Sequence, residues 1–267
     1  MKKFSGKTLR WEWREGIVEV TLDHEPANEI GTAMIDELEQ FVAAFPALAP
    51  DTSACIIASN KKRGFSAGAD LRELYVRALP LAEKDRLSGV RQFLQRIHAV
   101  LNAIDAAPFV MIAAVHGVCF GGGFELALAC DIIVADQMAR FAFPELRLGL
   151  IPGFGGIPRL KRDAGNAFAR DLLLTGRSVN AARAQAAGLV AQLTADGEAL
   201  RAARSTAVQI TKFDATARAA AKKFIKPIPY EELQREIEIF CELFARPEVM
   251  AALKKFAEDS GPMPYLP

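Results

Sequence analysis

Residues 119–131 read CFGGGFELALACD, so that Glu125 follows three consecutive glycines and one phenylalanine and opens an apolar stretch. Glycine costs more to order than any other residue. A carboxylate beside a hydrophobic run is expensive unless it is solvated, paired or protonated. A helix beginning here would present unpaired N–H groups and a partial positive charge, and a glycine turn lets a ligand approach that backbone without meeting a Cβ. Such a site can receive a developing negative charge on an enolate or tetrahedral oxygen. The same residues would also serve as a tight turn with a helix-favouring glutamate, and this motif by itself does not separate the two.

A second glycine-rich loop, RGFSAGAD at 63–70, also follows a strand pattern and precedes a helical one. Two such loops could each give one N–H to a single oxygen. Glu145, in FAFPELRLGLIPGFGG, adds a carboxylate twenty positions after Glu125, among Phe141, Phe143, Leu146 and Leu148. Two carboxyls in a mostly dry pocket can hold different protonation states, one acting as base and the other as acid. Taken alone, Glu145 reads as a surface or capping residue.

Other chemistries fit less well. GFSAG at 64–68 has the G-x-S-x-G form of a nucleophile elbow. However, Asn60-Lys61-Lys62-Arg63 separate it from the preceding strand, and the candidate histidine partner, His116, ends an apolar strand. No phosphate-loop or dinucleotide fingerprint occurs. Four cysteines without a C-x-x-C pair and three histidines suggest no metal or redox site. With 33 basic and 32 acidic residues the chain has no bulk charge for nucleic acid. Its N-terminus, MKKFSGKTLRWEWREG, lacks the apolar core of a secretory signal. The uncharged run from Ala106 to Phe124 contains Pro108, His116 and four glycines, and breaks into strand, turn and helix start rather than a membrane span. A soluble protein of the reduced cytoplasm is expected.

The elements that must position these residues follow from periodicity. TLRWEWREGIVEVTLDH alternates on both sides of Arg14-Glu15-Gly16 and reads as a hairpin. Met34, Ile35, Leu38, Phe41, Val42 and Phe45 share one helical face. SACIIAS, FVMIAAV, DIIVAD and LVAQL read as strands; LRELYVRAL, DRLSGVRQFLQRIHAVLNAI, FELALAC and NAFARDLLLTG as helices. HGVCFGGG reads as a turn, PELRLGLIPGFGG as a long loop, and residues 76–90 as a charged, mobile segment. Asn180 and Gly188 bracket a short helix as N-cap and C′. The pattern is α/β over residues 1–196, then all-helical over 197–267, where EELQREIEIFCELF and EVMAALKKFAED carry an apolar face for the core or another subunit.

Five blocks, in order and at ordinary spacing, resemble the crotonase (enoyl-CoA hydratase/isomerase) superfamily: VTLDHEPANEIGTAMIDELEQF, RGFSAGADLREL, AAVHGVCFGGGFELALACDIIVAD, FAFPELRLGLIPGFGGIPRL and LLLTGRSVNAARAQAAGLV. The resemblance covers nearly the whole chain. It implies a spiral core of ββα turns over 1–196, a C-terminal helical trimerisation region over 197–267, and a homotrimer or stacked hexamer. It implies an acyl-CoA thioester substrate and no separate cofactor or metal. By matching motif positions, the oxyanion-hole N–H groups fall on Ala69 and Gly122, the catalytic pair on Glu125 and Glu145, and coenzyme A contacts on Ala67, Asp70 and Arg72. The hydrolase branch usually has an aspartate where this chain has Gly153, and both glutamates are retained, so the chain looks hydratase-like. The ending KKFAEDSGPMPYLP differs from the family's usual one, and no C-terminal contact is carried over.

The expected activity is syn addition of water to a 2-trans-enoyl-CoA. The alternatives are double-bond isomerisation, dehydration of a branched 3-hydroxyacyl group on coenzyme A or an acyl carrier protein, and a non-catalytic scaffold.

Overall fold

The computed structural model describes residues 2–259. The end of the tail, 260–267, lies outside the described residues, as does that part of the comparison with the family's usual ending. In chain order the strands are β1 (Lys3–Ser5), β2 (Leu9–Arg14), β3 (Ile17–Leu22), β4 (Ala54–Ser59), β5 (Gly64–Ser66), β6 (Val110–Val115), β7 (Val118–Phe120), β8 (Ile132–Asp136), β9 (Arg140–Ala142), β10 (Val179–Asn180) and β11 (Gln192–Thr194). The helices are α1 (Thr32–Ala43), α2 (Phe45–Leu48), α3 (Leu71–Ala78), α4 (Glu83–Asp105), α5 (Gly122–Ala129), α6 (Gly156–Thr175), α7 (Ala181–Ala186), α8 (Ala199–Ile210), α9 (Ala215–Ile225), α10 (Tyr230–Phe244) and α11 (Pro247–Glu258). Pro144–Leu148 forms a short 3-10 turn.

The strands build two sheets, ordered β1-β2-β3-β4-β6-β8-β11 and β10-β9-β7-β5. The hairpin of β2 and β3 closes at Glu15 and Gly16, both with positive φ (48° and 81°), as a tight right-twisting turn requires. From β4 onward one unit repeats: a parallel strand in the large sheet (β4, β6, β8), a short strand in the small sheet (β5, β7, β9), then a helical segment. This is the ββα spiral. The central strands are buried on both faces. Cys55 and Ile57 of β4 face the main core, whereas Ala54, Ile56 and Ala58 pack with Ala199, Ala203 and Ala207 of α8. The helices after residue 196 therefore pack on the core: α8 on the large sheet, α10 on α4, and α11 on α3.

Four sequence expectations change. Residues 76–90, read as mobile, are mostly helix, comprising the end of α3 and the start of α4. Glu83 and Asp85 stand in the first turn of α4, where acidic groups favour the helix dipole. The helix expected at NAFARDLLLTG is only the second half of α6, which begins at Gly156 and breaks at Gly165 (φ 81°, ψ 163°). The turn HGVCFGGG contains β7, and the final strand, Gln192–Thr194, overlaps only the last two residues of LVAQL.

Candidate active site

In the small sheet β5, β7 and β9 lie side by side and parallel. The segments leaving their C-terminal ends carry Ala69, Gly122 and Glu145 at corresponding points of successive ββα units. Sheet order thus brings together residues far apart in sequence. Gly68 and Gly121 turn the two donor loops with φ of 101° and 46°. A Cβ on Gly68 would sit 3.1 Å from the Gly122 nitrogen, and one on Gly122 would sit 3.3 Å from the Ala69 nitrogen. The two peptide groups are therefore neighbours, with no room for side chains between them. Among the described residues no backbone group accepts the N–H of Ala69 or of Gly122.

Both N–H positions border a cavity that Glu125, Glu145, Leu74, Val90, Phe93, Leu148, Phe154 and Phe240 also line. Room for the centres of water-sized molecules is about 50 Å³, more than one water needs. The walls are mainly apolar, and the carboxyls stand out as its chemistry.

Glu125 lies in the first turn of α5 and is 1% exposed. Its Oε1 accepts the N–H of Phe154 at 2.8 Å and of Gly156 at 2.7 Å, where α6 begins. Burial pushes its carboxyl up to about 7, while the Gly156 and Phe154 N–H groups and the Arg159 guanidinium pull in the other direction. Glu145, in the 3-10 turn after β9, is half-buried. Its Oε2 is sealed from solvent without a hydrogen-bond partner among the described residues. Burial, then the neighbouring Glu125 charge, pushes it well above the usual carboxylate range. Glu145 is not a surface or capping residue.

The structure adds a third acid that sequence reading missed. Glu236 of α10 is 3% exposed and accepts the N–H of Gly155 (2.6 Å) and Ile157 (3.0 Å). The buried Arg159 secures the same turn, donating to the carbonyls of Phe154 and Gly155 and to Asn102 and Asp105. The only sequence signal for Glu236 was an acidic residue on the apolar face of an amphipathic helix.

The remaining predicted residues divide. Ala67 lines the cavity with its N–H given to Ala27. Asp70 lines it too, but its carboxylate accepts from Glu73 N at 2.8 Å and caps α3. Arg72 lies outside this lining: it donates to the Asp259 carbonyl and lies over the Phe256 ring of α11. Phe124 does not reach the cavity; it is fully buried and stacks on Phe143 at 4.7 Å. A Cβ on Gly153 would meet Phe240 at 2.6 Å, so the hydrolase-type aspartate has no space there. Ser66 of GFSAG donates to Asn28 O, while His116 contacts Lys61 O, so no nucleophile–base pair forms.

A ββα spiral with two glycine-shielded N–H groups facing paired carboxyls is the crotonase architecture. Residues 12–263 match the family Enoyl-CoA hydratase/isomerase, and the chain belongs to that family. It is 34% identical over 258 residues to a probable enoyl-CoA hydratase of Rhizobium meliloti, covering 94% of this chain and 95% of that one. It is also 34% identical to the 2,3-dehydroadipyl-CoA hydratase of Escherichia coli, covering 93% and 95%. An enoyl-CoA hydratase structure from Bacillus halodurans superposes with a TM-score of 0.82 at 26% identity, covering 93% of this chain and all of that one. The protein is thus an enzyme, with relatives named as hydratases, which are lyases. No helix among the described residues is long and apolar enough to cross a membrane.

Proposed function

We propose that the protein adds water reversibly to a 2-trans-enoyl-CoA, giving the 3-hydroxyacyl-CoA. The observation that carries this reading is the convergence of Glu125 and Glu145 on one small cavity beside the N–H groups of Ala69 and Gly122, which no backbone group accepts among the described residues. The thioester oxygen would lie between those two N–H groups, which favour the enolate over the ground-state carbonyl. Ionised Glu125 takes a proton from a water as its oxygen bonds to C3. Protonated Glu145 gives a proton to C2, and the two acids exchange a proton before the next cycle.

The division of roles is supported by the environments of the two acids. Glu125 has two N–H donors that stabilise its charge. Glu145 has an oxygen without a partner among the described residues and Glu125 nearby, and is the easier of the two to keep protonated. Coenzyme A is held as part of the substrate, with Ala67, Asp70 and Arg72 as its contacts. A homotrimer or stacked hexamer in the cytoplasm completes this reading; Phe224 of α9, 88% exposed, and Ile225 offer apolar surface for subunit contacts.

The test is incubation with crotonyl-CoA and with longer and branched enoyl thioesters, following loss of the conjugated thioester absorbance. Inactivity across that panel would defeat the hydratase reading.

A further inference from the structure

The turn Gly153–Ile157 closes one side of the cavity and starts α6, and four of its N–H groups are shared between two buried acids. Phe154 and Gly156 donate to Glu125 Oε1, whereas Gly155 and Ile157 donate to Glu236 Oε1 and Oε2. Donors to one acid alternate along the chain with donors to the other. The carbonyl side is fixed as well, by Arg159 on Phe154 and Gly155 and by His98 on Gly153. There is no slack: Gly155 has φ +96°, and a Cβ on Gly156 would lie 2.7 Å from Glu125 Cγ.

A buried acid beside a second acid is a costly way merely to satisfy two N–H groups. Glutamate does supply two acceptors at once, whereas a glutamine would turn an NH₂ against one of the donors. The position of Glu236 ties its two acceptor oxygens to the turn that also serves Glu125. The same helix places Phe240 on the cavity wall, so α10 takes part in building the site.

We propose that Glu236 is a positioning residue: by holding the Gly155 and Ile157 N–H groups it presents the Phe154 and Gly156 N–H groups to Glu125, anchoring Oε1 and leaving Oε2 for the water. The proposal rests on the hydratase reading. It makes the C-terminal helical region a contributor to the chemistry.

The test compares Glu236→Gln and Glu236→Asp with wild type in crotonyl-CoA hydration across pH, alongside thermal melting. Glu236→Gln is expected to lower kcat by about ten- to a hundredfold with KM within about threefold. It should also move the acidic limb of the profile to higher pH, because N–H groups no longer held toward Glu125 stabilise its charge less. Glu236→Asp, which keeps both acceptor oxygens but retracts them, should fall between the two in kcat and in the position of its limb. The proposal is overturned if Glu236→Gln keeps the wild-type kcat and profile, or if its loss follows melting with the limb unmoved. If Glu236→Gln does not fold, a folded Glu236→Asp with full wild-type kcat overturns it instead. A wild type inactive on every enoyl thioester defeats the hydratase reading separately. In that case the carboxyl infrared band of Glu125, titrated in wild type and Glu236→Gln, reads the same shift without turnover, and no shift overturns the positioning role.

Discussion

Glu125 Oε1 accepts the Gly156 N–H at 2.7 Å across 31 positions of sequence. The proposed base is therefore held by the first turn of a helix other than its own. One of its oxygens is fixed by N–H donors and the other is left for chemistry. The strength of those donors against the cost of burial sets when Glu125 carries charge.

That balance predicts a bell-shaped pH dependence. Burial raises Glu125 to about 7, and burial with the Glu125 charge holds Glu145 well above its ordinary range. The active form needs Glu125 ionised and Glu145 protonated. Thus kcat/KM should rise as pH rises through about 7 and fall again when Glu145 loses its proton. The two limbs belong to the coupled pair rather than to single residues. Initial rates on crotonyl-CoA against pH check this, and a rate that stays flat from roughly pH 5 to 8 would contradict it.

Gly122→Ala should damage catalysis far more than folding. Its Cβ would fall 2.5 Å from the Phe154 ring and 3.3 Å from the Ala69 nitrogen. Either the ring or the oxyanion-binding pair must shift. We predict a loss of about 10²–10³ in kcat, the scale of losing one oxyanion donor, with the far-ultraviolet circular dichroism of wild type. A variant with near-normal kcat would show that the Gly122 N–H does not bind the developing charge.

Phe124 separates packing from specificity. It is fully buried against Phe141 and Phe143 and lies outside the cavity lining. Phe124→Ala should cost about 3–5 kcal/mol in stability. The ratios of kcat/KM among short, medium and branched enoyl thioesters should stay as in wild type. A changed preference would place the ring in acyl selection.

His98 links stability to acid. Burial lowers it from 6.5 to about 4, against the opposing hydrogen bond to Gly153 O. Its folded value is depressed, so its contribution is full above about pH 6.5 and is lost as pH falls through about 4. The whole shift corresponds to roughly 3 kcal/mol. Denaturant unfolding at pH 7 and pH 4.5 should show a larger drop for wild type than for His98→Gln. Equal drops would contradict a buried neutral imidazole.

The parts of this protein legible in its sequence are those with strong local patterns. The Glu15-Gly16 hairpin formed as read, as did the α1 face up to Phe41, with Phe45 falling in α2, and the Asn180 cap, whose side chain accepts from Arg183 N at 2.9 Å. The small sheet was not readable from periodicity, because β5, β7 and β9 have three residues each, too few for an alternation to register. The start of α6 hid in a glycine- and proline-rich run that reads as loop. Residues 76–90 looked unpatterned because much of that helix face is charged and exposed. Glu125 and Glu145 were visible as carboxyls among apolar neighbours. Glu236 was not: it acts on a turn 81 positions away, and only the packing of α10 on α4 and α6 brings it there.

Hydration of crotonyl-CoA by wild type, Glu125→Gln and Glu145→Gln tests the central claim most directly. Wild type should consume the conjugated thioester and yield the 3-hydroxyacyl product. Each glutamine variant should lose about 10²–10⁴ in kcat while staying folded, the usual contribution of a positioned acid or base. Undiminished hydration by Glu125→Gln would contradict the two-carboxylate mechanism, and full isomerase activity in that variant would favour double-bond migration over water addition.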